Sequence, residues 1–284
     1  MRFGLFGINM GPCAAPAAAA SVARAAERAG FDSLWAGEHV VLPDPQAPPS
    51  PAAPEMPMLD PAVALGFVAS HTERVRLGTG IIILPQRNPL VLAKELASLD
   101  VVSGGRLIFG VGIGYLKAEF DALNVSFEHK GPRSEEFLRA MIAIWDEEKP
   151  RFQGRFFSFS GVQAFPRPVQ RPHPAIVFGG HTPPAFRRAA RLASGWYGFA
   201  LDHGATAKCL EQLRAACAEA GRRFEDLEIS VTPRPGRGAP SLDDVRRYAE
   251  LGVHRLILFP AAAPDEASVL RYVAEAEHGL VGKV

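Results

Sequence analysis

The 284-residue sequence predicts an α/β protein built as a single (β/α)₈ barrel over residues 1–284. Eight apolar, β-branched segments typical of strands recur along the chain, and each is followed by a segment with helical periodicity. No second zone of composition marks a domain boundary. Eight such units close naturally into a barrel, whereas an open doubly wound sheet usually has fewer strands. Because barrel active sites lie at the C-terminal ends of the strands, we search for functional residues there.

The fourth predicted strand, Leu107–Ile113, has the most informative pattern. Its nearly unbroken apolar run is typical of a parallel strand that is covered on both faces. Gly110, Gly112 and Gly114 come at every second position, so they share one side of the strand and leave it without side chains. Three glycines cost the strand conformational entropy. We therefore interpret the bare side as space for a ligand or a neighbouring layer, and we expect a flat ring to be received there.

The other elements follow from apolar periodicity and capping residues, taken in chain order. The predicted strands are Phe3–Ile8, Ser33–His39, Val75–Leu84, Leu107–Ile113, Ala175–Phe178, Trp196–Leu201, Glu228–Thr232 and Arg255–Phe259. The predicted helices are Ala17–Ala29, Asp60–His71, Pro89–Val102, a short helix from Lys117, Arg133–Glu147, Pro183–Ala193, Ala205–Ala220, Ser241–Leu251 and Asp265–Glu277. Asn88 before Pro89, and Ser241 with Asp244, are typical N-terminal capping pairs.

Two segments interrupt the strand and helix pattern. The first, Leu42–Leu59, holds seven prolines, so it cannot form a regular element, and it is predicted to act as a lid over the barrel. The second, Arg151–Pro174, is rich in proline and phenylalanine around Gly154. This composition predicts a small hairpin inserted before the fifth barrel strand.

Charge and composition limit the classes of partner. A formal net charge of +1, from 31 basic and 30 acidic side chains, gives no electrostatic footprint for nucleic acid or an anionic membrane. No apolar stretch approaches the length of a membrane span. Cys13, Cys209 and Cys217 lack the spacing of metal ligands and are interpreted as reduced thiols of a cytoplasmic protein without a metal site. The expected partner is a small molecule.

His39 is the candidate for acid–base chemistry. It ends the second predicted strand directly before the proline-rich segment, where an imidazole suits proton transfer or hydrogen bonding near neutral pH. Position alone leaves open a histidine that merely ends the strand. Glu38 should point to the opposite side, so it is either a structural residue or an indirect support of the site.

The run Gly179-Gly180-His181-Thr182-Pro183 predicts a phosphate-binding turn. A strand ends in two glycines, Thr182 can cap the next helix, and Pro183 suits its first position. Free main-chain N–H groups would then meet a helix N-terminus, which favours anions. The alternative is an ordinary tight turn between strand and helix. The sequence contains no dinucleotide fingerprint, Walker loop or zinc-protease helix.

Several motifs together resemble the bacterial-luciferase-like flavin and deazaflavin oxidoreductases. They occur in order over nearly the whole chain, and each is loose when taken alone. They are Gly30-Phe31-Asp32-Ser33-Leu34-Trp35 with Glu38-His39, Arg76-Leu77-Gly78-Thr79-Gly80-Ile81 with Arg87-Asn88-Pro89-Leu90, Gly104-Gly105-Arg106 with Gly110-Val111-Gly112, Arg167-Pro168-Val169-Gln170-Arg171-Pro172-His173-Pro174, and Gly179-Gly180 with Gly195-Trp196.

The resemblance implies a luciferase-like TIM barrel that binds a planar cofactor on its C-terminal face, usually as a homodimer. It is similar above all to the branch that uses the deazaflavin coenzyme F-420, in which a histidine at the position of His39 lies near the reactive carbon and is catalytic. A non-proline cis peptide within Thr79-Gly80-Ile81 would back the ring. The cofactor-binding residues expected on this basis are Glu38, Thr79, Gly80, Ile81, Gly112, Tyr115, Gly179, Gly180, His181 and Thr182.

Two departures from the family pattern bear on function. Tyr115 stands where some deazaflavin enzymes have a glutamate, so a carboxylate proton donor is not expected there. Sugar-phosphate-oxidising relatives have a lysine at the position near His203 where this chain has none, so the resemblance does not imply a sugar phosphate as the substrate. The predicted function is hydride transfer between coenzyme F-420 and a small organic substrate. One alternative is an FMNH2-dependent monooxygenase served by a separate flavin reductase, and a second is a flavin-binding barrel without turnover.

Overall fold

The computed structural model describes residues 1–236 and 238–284, and within them eight parallel strands close into a barrel, as predicted. The strands of the chain are β1 (Arg2–Phe6), β2 (Ser33–Ala36), β3 (Arg76–Thr79), β4 (Ile82–Ile83), β5 (Leu107–Gly112), β6 (Phe152–Gln153), β7 (Ser158–Phe159), β8 (Ala175–Gly179), β9 (Gly195–Leu201), β10 (Glu228–Pro233) and β11 (Arg255–Leu258). The ring runs β1, β2, β3, β5, β8, β9, β10 and β11, and β11 pairs with β1 to close it.

Helices surround the barrel in the order that the sequence predicts. They are α1 (Pro16–Arg28), α2 (Pro61–Ala69), α3 (Pro89–Val102), α4 (Lys117–Ala122), α5 (Lys130–Asp146), α6 (Pro183–Leu192), α7 (His203–Glu219), α8 (Leu242–Glu250) and α9 (Glu266–Gly279). Two predicted caps are confirmed. Asn88 Oδ1 accepts hydrogen bonds from the N–H groups of Leu90 and Val91, and Ser241 Oγ accepts one from Asp244.

The third predicted strand, Val75–Leu84, is not continuous. The ladder of β3 ends at Thr79, and Gly80 and Ile81, joined by a cis peptide bond, separate it from β4. Two hydrogen bonds hold the break in place. Gly80 N–H donates to Ala36 O at 2.6 Å, and the Thr79 hydroxyl donates to Gly110 O at 2.7 Å. These bonds replace the strand pairing that an unbroken apolar run predicts.

The glycine side of β5 is filled by this break and not by open space. A Cβ on Gly110 would overlap the carbonyl oxygen of Thr79, and a Cβ on Gly112 or Gly179 would overlap the Ile81 side chain. The expectation that the bare side itself receives a flat ring is therefore wrong. Of the two occupants considered for that side, a ligand and a neighbouring layer, the structure contains the neighbouring layer.

Two groups of side chains fill the barrel. Three aromatic and three aliphatic residues form the cluster in its interior, where the Trp35 and Tyr197 rings lie 5.5 Å apart between their centroids. The interior cluster comprises Phe6, Trp35, Ile108, Val177, Tyr197 and Ile257. At the N-terminal end of the strands, the fully buried Arg255 side chain donates to Asp32 at 2.8 Å and also pairs with Glu228. The barrel interior is thus packed, and binding must occur at the opposite mouth.

The predicted hairpin is present as β6 and β7, which pair antiparallel. It packs along α5, where the Phe157 ring lies 5.8 Å from that of Phe137 and Phe156 N–H donates to Glu136. The proline-rich segment Leu42–Leu59, which we call the strap, contains no helix. No helix among the described residues has both the length and the apolar composition that crossing a membrane requires.

Candidate functional site at the barrel mouth

His39 lies three residues beyond the end of β2 and faces a carboxylate that the sequence analysis missed. Its Nδ1 is 3.2 Å from Glu119 Oε2, and the other oxygen of Glu119 accepts a hydrogen bond from Val40 N–H at 2.6 Å. Glu119 comes from α4, and its side chain is fully buried. On the other side of the imidazole, the hydroxyl of Tyr115 is 3.4 Å from Nε2 of His39. The structure thus brings together three polar side chains, from the segment after β2, the segment after β5 and helix α4.

The electrostatics of this group favour a charged Glu119. Burial alone would raise the pKa of this carboxyl, but hydrogen bonds from the His39 ring and from Val40 N–H hold it below its ordinary value. Burial and the nearby Glu119 charge raise the pKa of the Tyr115 hydroxyl, so that group stays protonated near neutral pH. A carboxylate on Nδ1 keeps the proton of His39 on that nitrogen and leaves Nε2 for exchange with a ligand.

The Glu38 carboxylate is buried and bound by other residues of the protein, which indicates a structural role. One of its oxygens accepts a hydrogen bond from Ile83 N–H, and the other pairs with Arg87, which also reaches Asp60 at 2.7 Å. Only 2% of the Glu38 side chain is exposed. The Glu38 and Asp60 carboxylates outweigh burial and raise the pKa of Arg87, so the guanidinium stays charged. Since the Glu38 carboxylate is taken up by these partners, we do not include it in the cofactor site proposed below.

Ile81 is the part of the β3–β4 break that meets the mouth. Its side chain lies over Gly112 and Gly179, and, like Met10 and Phe259, it packs against the interior cluster of the barrel. Thr79 is fully buried beneath it. The break therefore presents one partly exposed aliphatic side chain to the mouth, at the place where the predicted ring would rest.

The turn after β8 has the predicted position but a different set of hydrogen bonds. Gly180 has a φ of +115°, a conformation that favours glycine, and its carbonyl accepts a hydrogen bond from the Trp196 indole at 2.9 Å. Nε2 of His181 accepts one from Phe199 N–H at 3.1 Å, and burial lowers the pKa of His181. The ring is therefore neutral near pH 7.

The predicted cap at Thr182 is wrong, because its side chain makes no capping hydrogen bond to α6. Pro183 and Pro184 occupy the first two helical positions and have no N–H to donate. The N–H groups of Ala185 and Phe186 both bond the carbonyl of Thr182. Within residues 1–236 and 238–284, the N–H groups of His181 and Thr182 have no acceptor, so these two remain for an anion.

The strap is fastened across the mouth by Asn9, which is fully buried. Its side-chain amide donates to Gly37 O at 2.8 Å and to Leu59 O at 2.6 Å, while its Oδ1 accepts from Gly37 N–H at 3.0 Å. The N–H of His39 donates to the sulfur of Met58 in the strap at 3.2 Å. One end of the strap is thus joined both to the turn after β1 and to the candidate histidine.

Comparisons with known proteins agree with this architecture. The family model described as luciferase-like monooxygenase matches residues 1–276. An uncharacterised protein of Mycobacterium tuberculosis is 32% identical over 279 residues, which cover 94% of this chain and 95% of that protein. The FMNH2-dependent dimethylsulfone monooxygenase of Pseudomonas putida is 37% identical over 129 residues, which cover 44% of this chain and 35% of that enzyme.

Two solved structures share the fold over nearly their whole length. Monooxygenase RslO1 from Streptomyces bottropensis superposes with a TM-score of 0.77 at 24% identity, with 99% of each chain covered. An F-420-dependent secondary alcohol dehydrogenase, in complex with an F-420–acetone adduct, superposes with a TM-score of 0.79 at 16% identity and 98% coverage of each chain.

The fold and the match over residues 1–276 define a barrel oxidoreductase. The chain belongs to the luciferase-like monooxygenase family. This confirms the resemblance stated from the motifs.

Proposed function

We propose that this protein transfers a hydride between the deazaflavin coenzyme F-420 and a small organic substrate, and that His39 is its catalytic residue. The observation that carries the proposal is the hydrogen bond between Nδ1 of His39 and the buried Glu119 at the C-terminal mouth of the barrel. A histidine oriented in this way can give a proton to a substrate oxygen, or take one from it, through Nε2. The cofactor, when bound, supplies the hydride donor and acceptor.

The residues at the mouth fit a planar ring with a phosphate tail. Ile81 offers an apolar side chain against which a ring can rest, and the mouth also exposes the Phe199 ring. The N–H groups of His181 and Thr182 lack acceptors in the described part of the chain, which suits a phosphate oxygen. The cofactor contacts proposed are therefore the partly or fully exposed Gly80, Ile81, Tyr115, Gly180, His181 and Thr182. Thr79, Gly112 and Gly179 are buried beneath Ile81 and are proposed to act through it, by holding its side chain in place.

The lack of charge in the proposed phosphate-binding turn, residues 179–182, favours the deazaflavin coenzyme F-420 over FMN. Residues 179–182 include no Lys or Arg, and burial keeps His181 neutral. A phosphomonoester such as that of FMN carries about 1.5 to 2 negative charges at neutral pH, and such groups are usually bound by arginine. The phosphodiester of F-420 carries a smaller charge. Neutral N–H donors alone match the smaller charge better.

Each polar residue then has a defined task. Glu119 orients His39, Tyr115 lies at hydrogen-bonding range of Nε2, and the strap excludes water from the mouth. The carboxylate missing at position 115 is supplied four residues later by Glu119. This removes the main reason to regard the protein as a flavin-binding barrel without turnover.

Titration of the purified protein with oxidised F-420 and with FMN, each followed by fluorescence, tests the cofactor. We expect tight binding of F-420 and weak binding of FMN. Tight FMN binding with no response to F-420 would contradict the proposal. His39→Ala should abolish F-420 reduction while cofactor affinity stays roughly unchanged, and unchanged turnover would remove His39 from the mechanism.

A second candidate function is an FMNH2-dependent monooxygenase that receives reduced flavin from a separate reductase. The similarity to the dimethylsulfone monooxygenase over 129 residues favours it. A relative from Acinetobacter baylyi, 27% identical over 207 residues, is the oxygenase component of a flavin-dependent trigonelline monooxygenase. Reduced flavin reacts readily with oxygen, whereas a reduced deazaflavin does not. Oxygen consumption coupled to substrate hydroxylation in the presence of a flavin reductase would identify this function.

We also propose that the protein is a homodimer that pairs through α2 and α3. Helix α2 (Pro61–Ala69) has no polar side chain, although it lies on the outside of the barrel. Val63 on α2 is 69% exposed and Val102 on α3 is 66% exposed. A surface helix that is apolar all round is normally covered. A second copy of the chain would bury this face.

A further inference from the structure

An apolar cleft opens at the C-terminal end of the barrel between the first and last strands. Its walls are the turn after β1 and the turn after β11, with Val269 of α9 behind them. Met56 of the strap contributes to its lining, beside Phe6, Met10 and Phe259. We call this space the methionine cleft. It lies on the same face of the barrel as His39.

The lining of the methionine cleft is uncharged. Among the described residues that line it, Cys13 is the one with a titratable side chain, and burial raises the pKa of its thiol to about 11. The thiol therefore stays neutral near pH 7. An ion placed in this space would lose its hydration without gaining a partner. The chemistry of the lining thus selects for an uncharged, apolar occupant.

Main-chain hydrogen bonds frame the cleft. Gly11 N–H donates to Pro57 O at 3.0 Å, and Leu59 N–H donates to Asn9 O at 2.9 Å, so the strap is tied to the turn after β1 at two points. The Met10 and Met58 main chains form an isolated antiparallel bridge between these ties. The frame is fixed, whereas the methionine side chains within it can adapt to the shape of an occupant.

Two methionines separate the cleft from the candidate catalytic residue. The sulfur of Met58 accepts the N–H of His39 at 3.2 Å, and Met10 pairs with Met58 and lines the cleft. The chain has five methionines, and three of them are at the cleft or beside it. Met10 and Met56 line the cleft, and Met58 lies between Met10 and His39. This concentration favours a binding role for them over random filling of the core.

The size of the cleft limits the occupant. Its volume is about 80 Å³, and a cavity of roughly 150 Å³ is known to bind benzene. A tricyclic ring therefore does not fit, and the cofactor must lie elsewhere on the mouth. The cleft has about half the volume of the cavity that holds the six carbon atoms of benzene. A short alkyl group of roughly three or four carbon atoms therefore fits.

We infer that the methionine cleft binds a short, uncharged alkyl group of the substrate. The inference rests on the proposed function, because it assigns the cleft to the substrate of that reaction. It places the apolar part of the substrate between the first and last strands, and the reacting end toward His39 across the Met10 and Met58 side chains.

The test uses the full-length protein without cofactor, with [methyl-13C]methionine as the reporter and primary alcohols from ethanol to hexanol as the probes. Replacing each methionine in turn by leucine assigns the signals. We expect the Met10 and Met56 methyl signals to shift, and the Met1 and Met141 signals to stay in place. Affinity should rise about fourfold with each added methylene up to butanol, and then level off.

Ala263→Leu provides the blocking variant, because Ala263 lines the cleft. Ala262→Leu is the matched control, since Ala262 lines the adjoining polar surface and not the cleft. Thermal unfolding confirms that both variants fold. We expect butanol binding to fall at least tenfold in Ala263→Leu and to stay unchanged in Ala262→Leu.

Three results would overturn the inference: stationary Met10 and Met56 signals, equal butanol binding by Ala263→Leu and the parent, or equal binding of butylamine and butanol with the same signals shifted. Because the measurement involves no cofactor and no turnover, its failure differs from failure of the proposed function. If the protein reduces F-420 but the Met10 and Met56 signals stay in place, the inference about the cleft is contradicted and the proposed reaction is supported.

Discussion

The Glu119 carboxylate accepts two hydrogen bonds at the barrel mouth, one from the ring of His39 and one from the N–H of Val40. It thereby sets the orientation of the imidazole and holds the chain where it leaves β2 for the strap. A neutral amide at this position can keep part of the geometry, but it removes the charge that favours a proton on Nδ1.

We predict that Glu119→Gln lowers F-420-dependent turnover by about a hundredfold to ten-thousandfold, because the amide no longer favours the tautomer of His39 that acid–base chemistry through Nε2 requires. The KM for the substrate should change little, because Glu119 is buried behind His39. Asp121→Asn is the matched control on the same helix, since its side chain is exposed and pairs with Lys117. Steady-state kinetics of both variants distinguish these outcomes, and equal kcat values would contradict the orienting role.

The lowered pKa of Glu119 also predicts how stability depends on pH. Because the folded-state pKa lies below the ordinary value of 4.5, the folded state binds this proton more weakly than the unfolded state. The resulting stabilisation is present above pH 4.5 and is lost as the pH falls through the lower folded-state pKa. Urea unfolding from pH 7 to pH 3 should therefore show a steeper acid loss in the parent than in Glu119→Gln. Parallel curves would contradict it.

At the scale of elements, the break between β3 and β4 explains why β5 carries glycines. The backbone at Thr79 passes directly over Gly110, and the Ile81 side chain covers Gly112. The first contact involves a carbonyl oxygen held by the sheet, whereas the second involves the end of a side chain that can rotate. The two glycines are therefore under different constraints.

We predict that Gly110→Ala lowers the free energy of unfolding by more than about 3 kcal/mol, because its Cβ would meet main-chain atoms that cannot move aside. Gly112→Ala should cost about 1 kcal/mol, since the Ile81 side chain can shift to another rotamer. Denaturant unfolding of the two variants, made in parallel, measures the difference. A larger effect for Gly112→Ala would mean that the position of the break differs from the one described.

The strap is the second element whose placement depends on one side chain. It has no helix of its own, and Asn9 joins it to the turn after β1 and to Gly37. Replacing Asn9 leaves the buried N–H and carbonyl groups of Gly37 without their partners, and each buried group left unsatisfied costs about 1 to 3 kcal/mol. The carbonyl of the more exposed Leu59 also loses its donor, which frees the end of the strap.

Asn9→Ala should therefore release the strap before it unfolds the barrel. We expect limited proteolysis to cut the variant within Leu42–Leu59 at least ten times faster than the parent, as followed by mass spectrometry of the fragments. Asn124→Ala, at an exposed turn after α4, is the control and should be cut like the parent. Equal cutting of Asn9→Ala and the parent would show that other contacts hold the strap.

At the scale of the whole molecule, the helices around the barrel differ in character. Helix α8 has a charged face and an apolar face, whereas α2 is apolar throughout. Helix α3 packs beside α2. Exposed apolar residues occur on both of these neighbouring helices, and covering them is the role that we propose for a second copy of the chain.

We predict that Val63→Glu converts the protein from a dimer to a monomer, because a charge in the centre of an apolar interface cannot be hydrated. Sedimentation equilibrium measures the mass directly. Ala218→Glu is the control, since Ala218 is exposed on α7, which packs beside α6 and not beside α2 or α3. A parent protein that is already monomeric, or a Val63→Glu variant that remains dimeric, would contradict the proposed interface.

The sequence by itself determined the type and order of the elements and several local features, since these depend on interactions between residues close together in the chain. The barrel followed from the count of eight strand–helix units and from the family motifs. The apolar runs predicted the strands, and the capping residues predicted the start of α3. Proline content predicted the irregular strap, and the family motifs located the cis bond between Gly80 and Ile81. Most errors in boundaries were one to three residues at element ends.

The tertiary structure decided which side chains meet at the mouth. Glu119 stands between apolar residues on a short helix, and the sequence pattern has no signal for the direction of its side chain. The same holds for Asn9, whose partners come from residues 28 and 50 positions away. The sequence pattern also did not show what covers the glycine side of β5, because the covering residues, Thr79 and Ile81, come from the neighbouring barrel strand β3 and the break that follows it. Contacts between distant segments depend on how the whole barrel closes, and local patterns do not record that closure.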